Sequence, residues 1–260
     1  MSVDVSGPID GVQTIVLNQP DRLNALTVAM VRDLSQIVRS AERDDAVRVL
    51  VITGAGSGFC SGADIGAFGG GDSIADLGEG LRSSFNPLMT RLHTLEKPVL
   101  AAINGVAAGA GLSLALACDL RYAAESARIV IAFIRIGLVP DAGLFYFLPR
   151  LIGPAKTLEL AWTGEPISAT EAYDLGMLNK VVPDDRVVAE TQALAARLAS
   201  APRKVTALIK RAVNQAHELP LERVLEMEAA YQTIASRDPN FAEGLAAFRA
   251  KRAPNFNQSS

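Results

Sequence analysis

Short apolar runs and one amphipathic segment predict the secondary structure of the first half of the chain. Thr27 is a common helix-capping residue type, and apolar residues at helical spacing after it predict a helix over residues 28–42. Runs that alternate, or that are rich in β-branched residues, predict strands. These strands are Val12–Leu17, Val47–Thr53, Val99–Ile103 and Arg128–Ala132. Strands that alternate with helices indicate an α/β fold.

The second half of the chain has mainly helical spacing. A capping box from Ser168 to Glu171 predicts a helix start, and Gly176 is placed to end that helix. Four further helices are predicted, and three prolines separate them. Their ranges are residues 186–199, 203–217, 221–236 and 241–251, and the prolines are Pro202, Pro220 and Pro239.

Two segments rich in glycine and serine interrupt the early pattern. Residues 54–62 predict a loop, and residues 66–84, which also contain several aspartates, predict a mobile flap.

From about residue 186 onwards only helices are predicted. This change of pattern predicts a core over residues 1–185 and a C-terminal helical region over residues 186–260.

The composition is that of an ordinary globular protein of 260 residues, 49% hydrophobic and 20% charged. A net charge of -3 gives no general case for binding nucleic acid or an anionic membrane. Cys60 and Cys118 are too few for a disulfide framework, and the acidic N-terminal segment lacks the apolar core of a signal peptide. The two scattered histidines form no zinc motif. We therefore expect a cytoplasmic protein without a metal site.

A charge-free run, Pro98–Cys118, precedes a lone acid, Asp141, in the motif IGLVPDAG. The run is long enough to cross a membrane, but its proline, asparagine and glycines predict a buried strand, a sharp turn and a buried helix. The glycines of the turn either permit close backbone packing or leave the first helical N–H groups free to bind an anion. In the second case, an N–H near Ala110 and another from residues 61–64 would form an oxyanion hole for a thioester enolate.

Six ordered motifs span most of residues 10–183. They are DRLNAL (21–26), FCSGADI (59–65), KPVLAAINGVAAGAG (97–111), IGLVPDAG (136–143), LPRLIG (148–153) and ISATEAYDLGMLNKVV (167–182). In this order they resemble the enoyl-CoA hydratase/isomerase (crotonase) superfamily, and they are most similar to its 1,2-epoxyphenylacetyl-CoA isomerase and Δ3,Δ2-enoyl-CoA isomerase types. The resemblance implies a spiral of ββα units with a C-terminal helical region for oligomerisation and pocket closure. It also implies a homotrimer or a dimer of trimers, and an acyl-CoA substrate without a permanently bound cofactor.

The resemblance also assigns site residues. It places oxyanion-hole donors at the backbone N–H groups of Ala63 and Ala110, the second of which is commonly glycine in the family. The residues that match regions in contact with coenzyme A are Leu23, Ala25, Ser61, Ala63, Asp64 and Ile65. The residues expected to line the acyl pocket are Gly109, Ser113, Phe133 and Leu138.

Asp141 decides which reaction the resemblance implies. Typical hydratases of the family use two glutamates, and the matching positions here hold Ser113 and Phe133, which cannot serve as acid or base. Asp141 matches the single acid of some isomerases, and one base is sufficient to move a proton between two carbons. Desolvation by apolar neighbours is expected to raise the pKa of its carboxyl. Those neighbours are Phe133, Leu138, Leu144 and Phe145.

Other interpretations of these residues remain open from the sequence. Aspartate is also a residue type that caps helices, and Asp141 could cap a helix that begins just after it. If Asp141 served only as this cap, the chain would be a catalytically degenerate acyl-CoA-binding trimer. A hydratase or hydrolase would need another acid, for which the flap offers Asp72 and Glu79. Ser113 is expected to be a helix-packing hydroxyl rather than a nucleophile, and Cys60 a small buried residue.

Overall fold

The computed structural model describes residues 2–64 and 77–256, so Ile65, Asp72 and most of the predicted flap lie outside the described residues. The strands, in chain order, are β1 (Val3–Ile9), β2 (Val12–Leu17), β3 (Val49–Gly54), β4 (Gly58–Cys60), β5 (Val99–Ile103), β6 (Val106–Ala108), β7 (Leu120–Ala124), β8 (Arg128–Val130), β9 (Ile167–Ser168) and β10 (Lys180–Val182). The α-helices are α1 (Val28–Arg43), α2 (Leu77–Gly80), α3 (Asn86–Thr94), α4 (Ala110–Ala117), α5 (Leu144–Thr163), α6 (Ala169–Asp174), α7 (Val187–Ala199), α8 (Arg203–Ala216), α9 (Leu221–Ser236) and α10 (Pro239–Arg249). A π-helical turn, Leu81–Phe85, joins α2 to α3.

The strands form two mixed sheets. The larger has the order β1-β2-β3-β5-β7-β10 and is parallel except where β1 pairs with β2. The smaller has the order β4-β6-β8-β9 and is antiparallel only between β8 and β9. The successive pairs β3–β4, β5–β6 and β7–β8 each place one strand in each sheet. This repeat confirms the predicted α/β fold built from ββα units.

The core lies around the central strands of the larger sheet. The side chains of β5 are buried along its whole length, and so are those of β3 up to Thr53. Helix α7 packs against β3, β5 and β7. Strands of a parallel sheet that are covered on both faces have apolar residues at every position. This explains why Val99–Ile103 is a continuous apolar run and not an alternating one.

Several predicted elements are confirmed with their end residues. β2 and β5 have the predicted bounds, and α1 extends one residue beyond the predicted range. The Thr27 hydroxyl caps α1 by accepting a hydrogen bond from the N–H of Met30 at 3.1 Å. The Ser168 hydroxyl accepts a hydrogen bond from the N–H of Glu171 in the same way, at 3.1 Å. The local capping patterns therefore identified both helix starts.

The prediction of a flap is wrong for residues 77–84, which are helical. Leu77, Leu81 and Phe85 are spaced four residues apart, and Phe85 is buried, so these residues have an apolar helical face. The glycine and serine content of this part of the chain concealed that spacing. The predicted loop over residues 54–62 likewise contains a buried strand, β4.

The C-terminal helices pack against the core mainly through α7, and α8 is joined to the core by hydrogen bonds. On α8, the Lys210 ammonium donates hydrogen bonds to the Asp119 carboxylate at 2.9 Å and to the backbone carbonyl of Leu92 at 3.0 Å. The domain division at residue 185 stays a prediction.

Within residues 2–64 and 77–256, no helix has the length and apolar character needed to cross a membrane.

Candidate active site

Two loops that follow neighbouring strands of the smaller sheet meet at one edge of that sheet. β4 and β6 are parallel neighbours, with Cys60 opposite Ala107, so the loops after them leave in the same direction. A methyl group on Gly62 would lie 3.1 Å from the carbonyl oxygen of Ala108 and 3.6 Å from the backbone nitrogen of Ala110. Gly62 also has a φ of +107°, which side chains disfavour. The close approach of the two loops therefore depends on glycine at this position.

The backbone N–H of Ala63 points away from the neighbouring segment at Leu26. The N–H of Leu26 donates to the carbonyl of Gly62 at 2.7 Å, and the N–H of Asp64 donates to the carbonyl of Leu26 at 3.0 Å. In an extended segment, the polar groups of successive residues point to opposite sides. Because Gly62 and Asp64 bind Leu26, the N–H of Ala63 is directed to the opposite side.

The backbone N–H of Ala110 is the first of helix α4. Gly109 occupies the cap position with φ 51° and ψ -129°, and none of the side chains that the structure describes caps this helix. The first N–H groups of a helix have no partner within it, and the helix dipole gives them partial positive charge. Ala63 and Ala110 line one cavity together with Leu77, Leu81, Phe85, Leu138 and Asp141. Both predicted donors therefore border the same space as the predicted base.

The Asp141 carboxyl has no hydrogen-bonding partner for its buried Oδ1 among the described residues. Burial raises its pKa to about 6. Helix α5 begins three residues later, after Gly143, and within the described part of the chain no side chain caps it. The alternative that Asp141 serves as a helix cap is therefore wrong. A carboxyl in a mainly apolar wall, with no partner for its buried oxygen among the described residues, is costly to ionise, and this cost is the cause of the raised pKa.

The apolar surroundings of Asp141 differ in part from those predicted. Leu138 lines the cavity as expected, whereas Phe145 is 51% exposed. Leu77, Leu81 and Phe85 also line the cavity, and they were not expected from the sequence because they lie in or next to the predicted flap. Their four-residue spacing was the available signal.

Three residues predicted to line the pocket lie outside the described cavity wall: Gly109, Ser113 and Phe133. Ser113 is fully buried, and its Oγ donates a hydrogen bond to the backbone carbonyl of Asp141 at 2.9 Å. It is a packing hydroxyl, as expected. Phe133 lies behind Gly109, where a methyl group would come within 3.9 Å of the ring. Cys60 is buried, and burial raises the pKa of its thiol to about 12, which argues against a nucleophilic role.

This geometry can be compared with known proteins. A sequence model of the family described as enoyl-CoA hydratase/isomerase matches residues 9–259. The chain is 43% identical over 248 residues to 1,2-epoxyphenylacetyl-CoA isomerase of Escherichia coli (strain K12), with 95% of each chain covered. It is 40% identical over 247 residues to a Rhodobacter capsulatus protein named probable enoyl-CoA hydratase, again with 95% of each covered. The chain belongs to the enoyl-CoA hydratase/isomerase family.

The structural comparison agrees with this family assignment. The crystal structure of enoyl-CoA hydratase from Bacillus anthracis has a TM-score of 0.93 with this chain at 33% identity, and the match covers 98% of this chain and 99% of that one. The two mixed sheets and C-terminal helices are thus the crotonase fold. Enzymes of this family act on coenzyme A thioesters without a permanent cofactor, and this chain is an acyl-CoA enzyme of that family.

The segments that match coenzyme A contacts in the family are held together in this chain. The N–H of Ser61 donates to the carbonyl of Leu23 at 2.9 Å, and Asp64 forms an ion pair with Arg22 at 2.8 Å. Leu23 has a left-handed backbone with φ 48°, and 40% of its surface is exposed. Ala25 follows in the same turn, where its N–H donates to the carbonyl of Arg22 at 3.2 Å. The apolar side chain of Leu23 is therefore available at the surface beside this turn.

Glu79, a candidate for an additional acid, lies outside the described cavity wall. It is on the exposed side of α2 and forms an ion pair with Arg82 at 3.4 Å. Each of these two side chains is 68% exposed. Glu79 is thus placed in solvent, whereas Asp141 borders the cavity.

Proposed function

We propose that this enzyme moves a double bond in an enoyl-CoA, or isomerises a ring acyl-CoA, with Asp141 as the single base. In this proposal the N–H groups of Ala63 and Ala110 bind the thioester oxygen. The turn at Leu23 and Ala25 and the segment Ser61–Ile65 contact the coenzyme A portion of the substrate.

The observation that carries this proposal is the carboxyl of Asp141, the one acidic side chain among the described residues that line a cavity bordered by both candidate donors. The other described lining residues are alanine, leucine and phenylalanine. Hydration requires a water to be activated on one side and a proton to be delivered to carbon, which two acidic groups usually share. A double-bond shift requires only one group that takes and returns a proton. The described lining therefore favours isomerisation.

The chemistry balances with one carboxylate. Asp141 removes a proton from C2 of a 3-enoyl-CoA, and the electron pair of that C–H bond delocalises through the thioester to give a dienolate. The two N–H groups stabilise the negative charge on the oxygen. The protonated carboxyl then returns a proton to C4, and the double bond lies between C2 and C3. Water is neither consumed nor released.

The test is a panel of linear and ring acyl-CoA thioesters, on which isomerisation and hydration are both measured. Asp141→Asn should lower kcat for isomerisation by about 10²- to 10⁴-fold while acyl-CoA still binds. Asp174→Asn, the same change on the exposed end of α6, is the control and should leave kcat unaltered. Transfer of deuterium from C2 to C4 within one molecule would support a single base. Full isomerase activity in Asp141→Asn would overturn the assignment of the base.

A hydratase is the second candidate, because the Rhodobacter capsulatus relative carries that name. Faster hydration of 2-enoyl-CoA than isomerisation of 3-enoyl-CoA on the same enzyme would favour it. Failure to convert any thioester of the panel, with binding retained, would instead favour a catalytically degenerate acyl-CoA-binding protein.

We also propose a homotrimer or a dimer of trimers. Apolar side chains on the C-terminal helices support an assembly, since Leu221 is 67% exposed and Phe248 is 82% exposed in the single chain. Light scattering coupled to size-exclusion chromatography measures the mass directly. A monomer at micromolar concentration would contradict this proposal.

A further inference from the structure

The Ser113 hydroxyl makes an unusual hydrogen bond for a helical serine. Serine and threonine within a helix commonly donate to the carbonyl four residues earlier. Thr157 and Thr191 do so here, at 2.8 Å to Gly153 and at 2.7 Å to Val187. Ser113 lies 3.4 Å from the equivalent carbonyl, that of Gly109, and only 2.9 Å from the carbonyl of Asp141. Its hydroxyl therefore links α4 to the loop that carries the carboxyl.

The loop at Asp141 has a backbone that requires support. Ala142 has φ 51° and Gly143 has φ 87°, so two successive residues are left-handed. This conformation is uncommon for alanine and persists where surrounding contacts impose it. The carbonyl of Asp141 receives one hydrogen bond from the N–H of Leu144 at 3.1 Å and the second from Ser113. Ser113 is the partner that comes from a different helix.

We infer that Ser113 is a positioning residue that sets the place of the Asp141 carboxylate relative to the oxyanion hole. This inference rests on the proposed function. Ser113 lies one turn after Ala110 on the same rigid helix, and its own N–H donates to Gly109 at 3.1 Å. A single element thus presents the oxyanion donor and holds the base loop. Correct spacing between these two groups is required for proton transfer to a bound enolate.

The first experiment compares Ser113→Ala with Thr191→Val. Each change removes one buried hydroxyl that donates to a backbone carbonyl, but Thr191 is on α7 and distant in sequence from the site. Ser113→Ala should lower kcat by about 10- to 100-fold with KM within about threefold of its original value, because misplacement of a catalytic group by about 1 Å has effects of this size. Thr191→Val should leave both constants unchanged while lowering the thermal midpoint to a similar extent.

The second readout is the pH dependence of kcat. If the loop relaxes in Ser113→Ala, the carboxylate becomes better hydrated and the acid limb of the profile moves to lower pH. Ser113→Cys keeps a weak donor of similar size, and it should fall between serine and alanine in kcat. This variant also serves if the alanine protein does not fold.

A double variant separates a positioning role from general damage. In the Asp141→Asn background, Ser113→Ala should cause no further loss of kcat, because the group that it positions is absent. Suppose that the enzyme depends on Asp141 but that Ser113→Ala leaves kcat and the pH profile unchanged. This result would overturn only the positioning role of Ser113. Full activity in Asp141→Asn would overturn the proposed function itself, so the two failures are distinguishable.

Discussion

A methyl group on Gly111 would lie 2.5 Å from the backbone carbonyl oxygen of Cys60. That methyl group would also lie 2.6 Å from the Cys60 Sγ, so helix α4 packs against the backbone and the side chain of β4 with no room for a side chain of its own at Gly111. Residues 61–64 leave the end of β4, and Ala110 begins α4. This contact fixes the spacing between the two proposed oxyanion donors, since it holds the two elements from which they project.

Gly111→Ala should therefore damage both the fold and the site. The added methyl would force α4 away from β4, and overpacking of this kind typically costs about 1–3 kcal/mol. We expect kcat to fall at least about tenfold, because the two N–H groups no longer converge. Gly244→Ala on α10 is the matched control, since its methyl would meet nothing closer than 3.6 Å. Urea unfolding and steady-state kinetics of both variants measure the difference, and unchanged stability of Gly111→Ala would contradict the backbone contact.

Ala110→Pro should remove one oxyanion donor with little effect on the fold. Ala110 is the first residue of α4, where proline is accepted because its missing N–H would have no helical partner. Loss of one donor lowers kcat by about 10²- to 10³-fold. Ala110→Gly retains the N–H and should keep kcat within about threefold of the original. Steady-state kinetics over a range of thioester concentrations up to saturation, together with circular dichroism, provide the check. A fully active proline variant would exclude this N–H from catalysis.

The activity should follow the ionisation of Asp141. The proton acceptor is the carboxylate, so kcat/KM should rise with pH and level off above a midpoint of about 6. Desolvation causes the raised pKa, and Leu81 contributes to the apolar wall. Leu81→Asn should consequently move the midpoint to lower pH. The measurement is kcat/KM between pH 4.5 and 9 for both proteins. If a protein without the Asp141 carboxyl showed the same midpoint, that midpoint would belong to another titrating group.

Asp141→Asn should make the fold more stable at neutral pH. The folded pKa of about 6 lies above the ordinary value of 3.8, so the folded state binds more protons between these values and loses stability as pH rises through them. After allowance for partial solvent screening, removal of the charge should contribute on the order of 1 kcal/mol above pH 7. The gain should be smaller at pH 5 than at pH 8 in thermal or urea unfolding. An equal gain at both pH values would show that ionisation is not its source.

The sequence allowed more of the fold to be predicted than of the site walls. Strand bounds such as Val99–Ile103 and the Thr27 cap depend on residues that are adjacent in the chain, and both are confirmed. A helix that begins just after Asp141 was only an alternative from the sequence, and the extent of α5 was not predicted, because Pro149, Pro154 and the kink at Gly153 interrupt its apolar spacing. Leu77 and Leu81 were missed because nearby glycines outweighed their helical pattern. Patterns of adjacent residues therefore predict an element correctly where they all favour one structure. They fail where helix-favouring and helix-breaking residues occur together.

By itself, the sequence determined the family motifs, the α/β fold and the prominence of Asp141 as a lone acid. Only the tertiary structure decided that the buried Oδ1 of Asp141 has no hydrogen-bonding partner among the described residues, that the carboxyl borders the same cavity as Ala63 and Ala110, and that Ser113 binds its backbone. The physical reason is distance along the chain. Burial and hydrogen bonding join segments that are far apart in sequence, and the residue types alone do not indicate which partner each polar group meets.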